Sequence, residues 1–125
     1  MAISREDADG NLTAQPTSPQ FGVQDVVCDA HHTLILSGEL DLAMAPGLEA
    51  TITRLCRKGV KGISLDLSGL TFMDSSGLQA VFHAQRLCRE HGYDFLVAPG
   101  NGQVLRFFEI AGVIDALPIA DRDAL

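Results

Sequence analysis

The middle of the chain contains a short polar segment, Asp74-Ser75-Ser76-Gly77, whose side chains offer two kinds of chemistry. A serine hydroxyl becomes a nucleophile when a general base lies within hydrogen-bonding reach. An aspartate can instead cap a helix, because its carboxylate accepts hydrogen bonds from the free backbone N–H groups of the first turn. The segment therefore indicates either a catalytic serine or the capped start of a helix that exposes the hydroxyl of Ser75.

The positions of the four histidines do not favour catalysis. The sequence predicts His31 and His32 in a hairpin turn, and His83 and His91 within or at the end of a helix. His83 lies about 12 Å along the helix axis from the predicted cap. The chain has no Gly-x-Ser-x-Gly segment and no glycine-rich phosphate loop with a lysine. Capping is the favoured interpretation, and a small hydrolase that uses Ser75 stays as an alternative.

Two aspartates, Asp66 and Asp74, resemble a paired acidic site that could bind a metal ion. An aspartate on a strand such as Asp66 more often accepts hydrogen bonds from neighbouring backbone groups. We therefore expect no metal and no cofactor.

The pattern of apolar residues predicts alternating strands and helices around these residues. Short β-branched runs predict strands, whereas apolar residues that recur every three to four positions predict amphipathic helices. Pro46 suits the first turn of the first helix, Asn101 suits a cap of the third, and Gly112 suits its end. The predicted strands are residues 23–28, 33–37, 63–67 and 93–97, and the predicted helices are residues 45–57, 74–90 and 104–111.

The order of these elements predicts an α/β fold. The first two strands form a hairpin with a loop of about four residues, residues 29–32. The later strands alternate with helices, which implies right-handed crossovers and a mixed, mostly parallel sheet of four to five strands with flanking helices. Residues 114–119 are a candidate fifth strand that Pro118 interrupts, and residues 121–125 begin a last helix.

Length, composition and charge limit the classes of protein. The chain has 125 residues, of which 46% are hydrophobic and 20% are charged, so it can bury one core. Its formal net charge of −7 disfavours direct binding to nucleic acid. No apolar run approaches the ~20 residues that span a bilayer, and the N-terminal residues lack the features of a signal peptide.

The cysteines indicate a reducing compartment. Cys28, Cys56 and Cys88 are odd in number, widely spaced and set among apolar neighbours. This pattern is typical of buried, reduced thiols rather than of a disulfide framework or a metal site. Together with the missing signal peptide, it predicts a cytoplasmic protein.

Three ordered blocks of sequence carry a family resemblance. They are Gly38-Glu39-Leu40-Asp41, then Phe72-Met73-Asp74-Ser75-Ser76-Gly77-Leu78, then Arg106-Phe107-Phe108-Glu109-Ile110-Ala111-Gly112-Val113. Their order and spacing resemble those of the anti-sigma factor antagonists, or anti-anti-sigma factors, which are built on a STAS domain. The resemblance covers about residues 22–125 and implies a single STAS-like domain.

The resemblance implies a regulatory switch and not an enzyme. In the family, a cognate anti-sigma factor that is itself a serine kinase phosphorylates the serine directly after the aspartate, which matches Ser75. The unphosphorylated form binds the kinase and frees a sigma factor, phosphorylation releases it, and a metal-dependent serine phosphatase restores it. The expected partner-binding residues are Glu39, Asp41, Asp74, Ser76, Gly77 and Gln79.

The roles of the two acidic residues after the second strand, and the function of the chain, each have an alternative interpretation. Glu39 and Asp41 are explained equally well as solvated turn charges. Gln79 and His83 differ from the residues that other members carry on this helix face, which leaves the identity of the partner open. A STAS protein of another assembly, such as a lipid-transport accessory subunit or a stressosome-like scaffold, is the alternative function.

We expect residues 1–20 to form a disordered tail and residues 21–125 to form the STAS domain. The first 20 residues are polar and show no apolar period with which to dock, so deleting them should leave the stability of the domain unchanged. Thermal unfolding of the full and the shortened chain, followed by circular dichroism, measures this. A melting temperature lowered by about 4 °C or more, which corresponds to about 1 kcal/mol, would show that the tail packs on the domain.

Overall fold

The computed structural model describes residues 21–125, and the predicted tail lies outside the described residues. In this part of the chain, four strands and three α-helices are followed by short 3-10 helices. The elements are β1 (Gly22–Cys28), β2 (His31–Leu40), α1 (Ala45–Lys58), β3 (Gly62–Met73), α2 (Ser75–His91), β4 (Asp94–Ala98) and α3 (Gln103–Ala111), with 3-10 turns at Ile114–Ala116 and Arg122–Ala124.

The strands form one sheet in the order β1-β2-β3-β4. β1 runs antiparallel to β2, whereas β2, β3 and β4 are parallel to one another. The helices α1 and α2 are the crossovers between the parallel strands. This arrangement confirms the predicted α/β fold and its mixed, mostly parallel sheet.

The β1–β2 hairpin is tighter than predicted. Its turn contains only Asp29 and Ala30, which have positive φ angles of 51° and 65°. Such two-residue turns match the right-handed twist of paired strands. His31 and His32 therefore belong to β2, and the prediction of a four-residue loop was wrong. His32 is buried, and its Nδ1 lies 2.9 Å from both carboxylate oxygens of Asp25 on β1.

Strand β3 is longer than predicted and reaches the start of α2. The sequence Ser68-Gly69 resembles a turn, yet Gly69 pairs with Ser37 of β2, and two register shifts keep the strands paired to their ends. A Cβ on Gly69 would lie 2.8 Å from the Leu36 carbonyl oxygen, so the missing side chain permits this pairing. The extension brings Met73 beside Leu40.

The core lies between the sheet and the helices. Alternate residues of β2 are buried, α1 and α2 pack against each other, and α3 packs against β3. The apolar faces predicted for α1 and α2 are buried, apart from the half-buried Leu87. On α3, Val104 and Phe108 are buried whereas Ala111 is exposed. Within residues 21–125, no helix combines the length and apolar character that crossing a membrane requires.

The helix ends agree with the sequence signals in all but one case. Pro46 lies in the first turn of α1 and Gly112 follows α3, as predicted, and Gly59 follows the end of α1. The predicted cap of α3 was wrong, because Gly102 occupies the N-cap and no side chain bonds to the first turn. Asn101 lies one residue before that cap position.

The C-terminal segment is less regular than predicted. Residues Ile114–Ala116 and Arg122–Ala124 form 3-10 turns, and the predicted fifth strand reduces to one bridge between Ile119 and Val97. Pro118 has no N–H to donate, but its carbonyl accepts a hydrogen bond from the Val97 N–H at 3.0 Å. The sheet therefore has four strands in the described part of the chain.

The three thiols are free, and they occupy two environments. Cys56 on α1 and Cys88 on α2 are buried. Burial raises the pKa of the Cys56 thiol and raises the pKa of the Cys88 thiol to about 12. Cys28 is exposed on β1, so the prediction that all three thiols are buried was wrong for this residue.

We expect a thiol reagent such as Ellman's reagent to modify one thiol of the folded chain rapidly and all three in denaturant. Cys28 is accessible, whereas burial shields Cys56 and Cys88 from the reagent, and their raised pKa values keep both thiols protonated at neutral pH. Absorbance of the released reagent counts the reactive thiols. A Cys28→Ser variant should lose the fast reaction, and a fast reaction that persists in this variant would contradict the burial of the other pair.

Candidate functional site

The candidate site lies where β2 and β3 end side by side. Because the two strands are parallel, their carboxyl ends meet at the same edge of the sheet, with Leu40 in register with Met73. The loop to α1 leaves from β2, and α2 begins two residues after β3. The Asp74 N–H donates to the Leu40 carbonyl at 3.4 Å, which joins the two exits. This is the edge at which open α/β sheets usually bind ligands and partners.

Asp74 caps α2 as the sequence predicts. Its Oδ1 accepts hydrogen bonds from the N–H groups of Ser76 at 2.9 Å and Gly77 at 3.2 Å. Its backbone is extended, and its carbonyl accepts the first hydrogen bond of the helix from the Leu78 N–H at 3.1 Å. The cap is therefore complete, and it places Ser75 at the first position of α2.

Ser75 is exposed, and no histidine serves it as a base. Its hydroxyl makes no hydrogen bond to another residue within the described part of the chain. The ring nitrogens of the histidines bond elsewhere, to Ser64, Asp25, Thr53, Arg86 and the Leu87 carbonyl. A serine without a base is a poor nucleophile, so the geometry does not support the hydrolase alternative.

Asp41 organises the loop that follows β2. Its Oδ1 accepts hydrogen bonds from the N–H groups of Ala43 at 3.0 Å and Met44 at 3.2 Å. Its carbonyl accepts from Met44 at 3.0 Å and Ala45 at 2.9 Å. Asp41 therefore orders the turn that follows β2. Glu39 is half-buried on β2, in register with Phe72.

Gly77 and Gln79 lie on opposite faces of α2. Gly77 is buried, and a Cβ there would lie 2.9 Å from the Leu40 carbonyl oxygen and 2.8 Å from Met73 Cγ. Its small size therefore lets the helix approach β2. Gln79 is exposed one turn after Ser75.

His83 connects α2 to α1. Its Nε2 lies 3.1 Å from Thr53 Oγ1, and its Nδ1 lies 3.0 Å from an Arg86 guanidinium nitrogen. Because the guanidinium can only donate, Nδ1 accepts, and the ring then donates from Nε2 to the Thr53 hydroxyl. His83 is therefore a structural contact between the helices, two turns beyond Ser75.

Asp66 takes no part in a paired acidic site with Asp74. It is buried, and its Oδ1 accepts hydrogen bonds from the Ser68 N–H at 3.0 Å and the Ser68 hydroxyl at 2.6 Å. Its Oδ2 lies 3.3 Å from Arg122 Nε. The expected backbone hydrogen bonding of Asp66 is confirmed. Residues 21–125 contain no cluster of His, Cys, Asp or Glu able to hold a metal ion.

Sequence reasoning missed the exposed apolar residues of this edge. Leu42 and Met44 belong to the loop after β2, and Phe72 is the second-last residue of β3. All three side chains are exposed although they are large and apolar. Apolar periodicity gives no signal for Met44, which lies four residues before the buried Leu48, and Phe72 required knowledge that β3 continues to Met73.

Comparison with known proteins identifies the class to which this fold and site belong. The STAS domain family matches residues 24–123, and the chain therefore belongs to that family. Its relatives are anti-sigma factor antagonists, regulators and not enzymes, and the chain belongs to that group.

Two relatives and one solved protein illustrate the match. An anti-sigma-B factor antagonist of Staphylococcus aureus is 24% identical over 99 residues, which are 79% of this chain and 92% of that protein. An anti-sigma F factor antagonist of Paenibacillus polymyxa is 32% identical over 89 residues, 70% of this chain and 76% of that protein. The unphosphorylated anti-sigma factor antagonist SpoIIAA superposes with a TM-score of 0.65 at 23% identity, covering 82% of this chain and 88% of that one.

We expect Asp74→Ala to lower the free energy of unfolding by about 1 kcal/mol, because the N–H groups of Ser76 and Gly77 lose their acceptor. Asp74→Asn keeps an acceptor oxygen at the cap and should stay close to the wild-type stability. Urea unfolding of the three chains measures the difference. Equal stability of the alanine and asparagine variants would mean that the cap contributes nothing to the helix.

Proposed function

We propose that the chain antagonises an anti-sigma factor that is also a serine kinase. In the cytoplasm, its unphosphorylated form binds this kinase and frees the sigma factor, and phosphorylation of Ser75 releases it. A serine phosphatase then restores the binding form. The observation that carries the proposal is the exposed hydroxyl of Ser75 at the first position of α2, beside a cap that is already complete.

A phosphate on Ser75 is compatible with the fold. It adds about −1.5 to −2 charge. The free N–H groups and the dipole of a helix favour negative charge at the N-terminus. Because Ser75 is exposed, the phosphate displaces no packed side chain. The domain should therefore stay folded in both states, which a switch requires.

The same phosphate opposes a complex formed over this edge. A kinase holds the phosphates of its nucleotide close to the accepting hydroxyl, and the carboxylate of Asp74 lies next door in sequence. The negative charge on phosphorylated Ser75 is repelled by the nucleotide phosphates and by the Asp74 carboxylate. A change from almost all bound to almost all free needs about 5.5 kcal/mol of differential affinity. A dianion that loses its water at an interface supplies a penalty of that order.

We place the kinase on the surface around the start of α2. Ser76 is half-buried beside Ser75, and Gln79 continues the exposed face of the helix. Glu39 and Asp41 belong to the neighbouring exit of β2. The proposal assigns direct contacts to these residues and to Asp74, and it assigns Gly77 an indirect role through the packing of α2.

We expect affinity for the kinase, with ADP present, to decrease in the order Ser75→Ala close to wild type, then Ser75→Asp, then phosphoserine. Alanine removes the acceptor oxygen and little else, whereas aspartate adds about one negative charge and phosphate nearly two. Titration calorimetry against the purified kinase measures the order. The kinase to use is the anti-sigma factor that transfers one phosphate from ATP to the wild-type chain, as detected by intact mass.

Ser76→Ala is the control for the phosphate acceptor: it removes a proposed contact and so weakens binding, but the chain should still gain one phosphate and should still lose affinity when it does. Circular dichroism verifies that each variant is folded. A phosphate that peptide mapping places on Ser76, Ser4 or Ser18 would contradict the assignment to Ser75. If the phosphorylated chain bound the kinase as tightly as the Ser75→Ala variant, release by the charge of the phosphate would be wrong.

A further inference from the structure

We infer that the outer edge of β1 pairs with β1 of a second copy of this chain, antiparallel and about a two-fold axis, and so joins two four-stranded sheets into one. The association is weak, because Asp25 brings two like charges close to that axis. The inference does not depend on the proposed function, since none of the residues assigned to the candidate site belongs to β1.

The two edges of the sheet differ, and within residues 21–125 only the β4 edge is covered. The Val97 N–H of β4 donates to the Pro118 carbonyl at 3.0 Å, and the Val97 carbonyl accepts from the Ala120 N–H at 2.8 Å. The segment around Ile119 therefore takes the place of a further strand, and its proline has no N–H to pair beyond it. At the opposite edge, β1 pairs with β2 alone in the described part of the chain.

The backbone of β1 presents hydrogen-bonding groups in a regular array. β1 pairs with β2 from Gly22 to Cys28 without a register shift. In a hairpin with a two-residue turn, the residues that flank the turn exchange both backbone hydrogen bonds, and every second pair along the ladder does the same. The N–H and C=O groups of Val23, Asp25 and Val27 therefore point away from β2. Groups arranged in this way bind an additional strand.

The side chains of β1 lack most of the features that protect an edge strand. Natural edge strands carry lysine, proline or a bulge, or lie beneath a helix or loop. β1 has no lysine, no proline and no bulge, and its exposed residues include Val23 at 41%, Val26 at 44% and Val27 at 55%. Six of its seven residues are exposed, so no described helix or loop covers it. A second strand can approach without displacing another part of the described fold.

The pattern of side chains fits a second copy of the same strand. Val23 and Val27 lie on one face of β1, and Val26 lies on the other. With the two-fold axis at Asp25, Val23 lies opposite Val27 of the second copy, and this apolar pair occurs twice. With the axis one residue further along, Val26 lies opposite its own copy. Because each chain has one open edge among its described strands, the pairing closes at two copies.

Asp25 limits the strength of this pairing. It is the central residue of β1 and the only charged one, and its carboxylate is held by His32 Nδ1, which lies 2.9 Å from both oxygens. In either register the two Asp25 side chains lie on the same face near the axis, where like charges oppose pairing. The formal net charge of −7 adds repulsion between the two chains. One pair of strands also buries less area than a standard interface, so we expect half-dimerisation on the order of 100 µM.

Sedimentation velocity of the full chain, from about 10 µM to about 1 mM, should show a monomer that converts to a dimer. Val27→Glu adds a negative charge close to Asp25 of the second copy and should weaken dimerisation roughly tenfold or more. Ile110→Glu is the matched control, because Ile110 is 77% exposed on α3 and the substitution changes the net charge equally. Circular dichroism verifies that each variant is folded. A chain that stays monomeric at the highest concentration, or a dimer that both substitutions affect equally, would overturn the inference.

Asp25→Asn should strengthen dimerisation about threefold or more, because it removes two like charges and keeps an oxygen that accepts from His32. Asp115→Asn makes the same change on an exposed residue of a 3-10 turn and is the control for net charge. Raising NaCl from about 50 to about 500 mM should also favour the dimer, since salt screens the repulsion. A dimer that Asp25→Asn strengthens no more than the control, or that salt dissociates, would place the interface away from β1.

Amide hydrogen exchange, followed by NMR, identifies what covers the edge. Exchange of the Val23, Asp25 and Val27 N–H groups should slow as the concentration of the full chain rises, because only the dimer engages them. Equal protection at low and high concentration would show that a segment of the same chain covers β1, which overturns the inference. A dimer in which these three groups exchange as fast as in the monomer would overturn it as well.

Discussion

Parallel pairing between β2 and β3 continues well past the middle of the sheet, until Leu40 lies beside Met73. Because both strands leave the sheet at that point, the loop after β2 and the first turn of α2 become neighbours. The hydrogen bond from the Asp74 N–H to the Leu40 carbonyl and the close contact at Gly77 both require this pairing. With a β3 that ended at residue 67, a loop of seven residues, 68–74, would separate it from the start of α2. The position of every residue at the candidate site follows from this one stretch of ladder.

Helix capping and regulation are compatible roles for the Asp74–Ser75 pair. The capping carboxylate fixes the register of the first turn, and that register exposes the next residue at the positive end of the helix. An aspartate that holds its own helix is also a fixed negative charge beside the hydroxyl. In the proposed switch, the same atoms that make the helix stable would let the fold accept a phosphate on Ser75 while that phosphate weakens a complex.

The sequence predicts the elements that local chemistry determines, and it fails where tertiary pairing decides. Asp74 and Pro46 act at the helix starts because caps and proline act within one turn. The two-residue turn at Asp29-Ala30 depends on the twist of the paired strands. The continuation of β3 through Ser68-Gly69 depends on its register with β2. Apolar periodicity reports neither twist nor register. The exposure of Phe72 was missed for the same reason. Its place on β3 follows only from the continuation of the strand to Met73.

Strand β1 has a consequence for the dynamics of the molecule. It is an edge strand that pairs with β2 alone among residues 21–125, and six of its seven residues are exposed. Segments with few buried contacts open first in native proteins, often far below the free energy of global unfolding. Opening of β1 leaves the parallel pairing of β2, β3 and β4 intact, with α1 and α2 still packed on each other. The local unfolding of this edge is thus uncoupled from the start of α2, and the candidate site keeps its shape while the outer strand fluctuates.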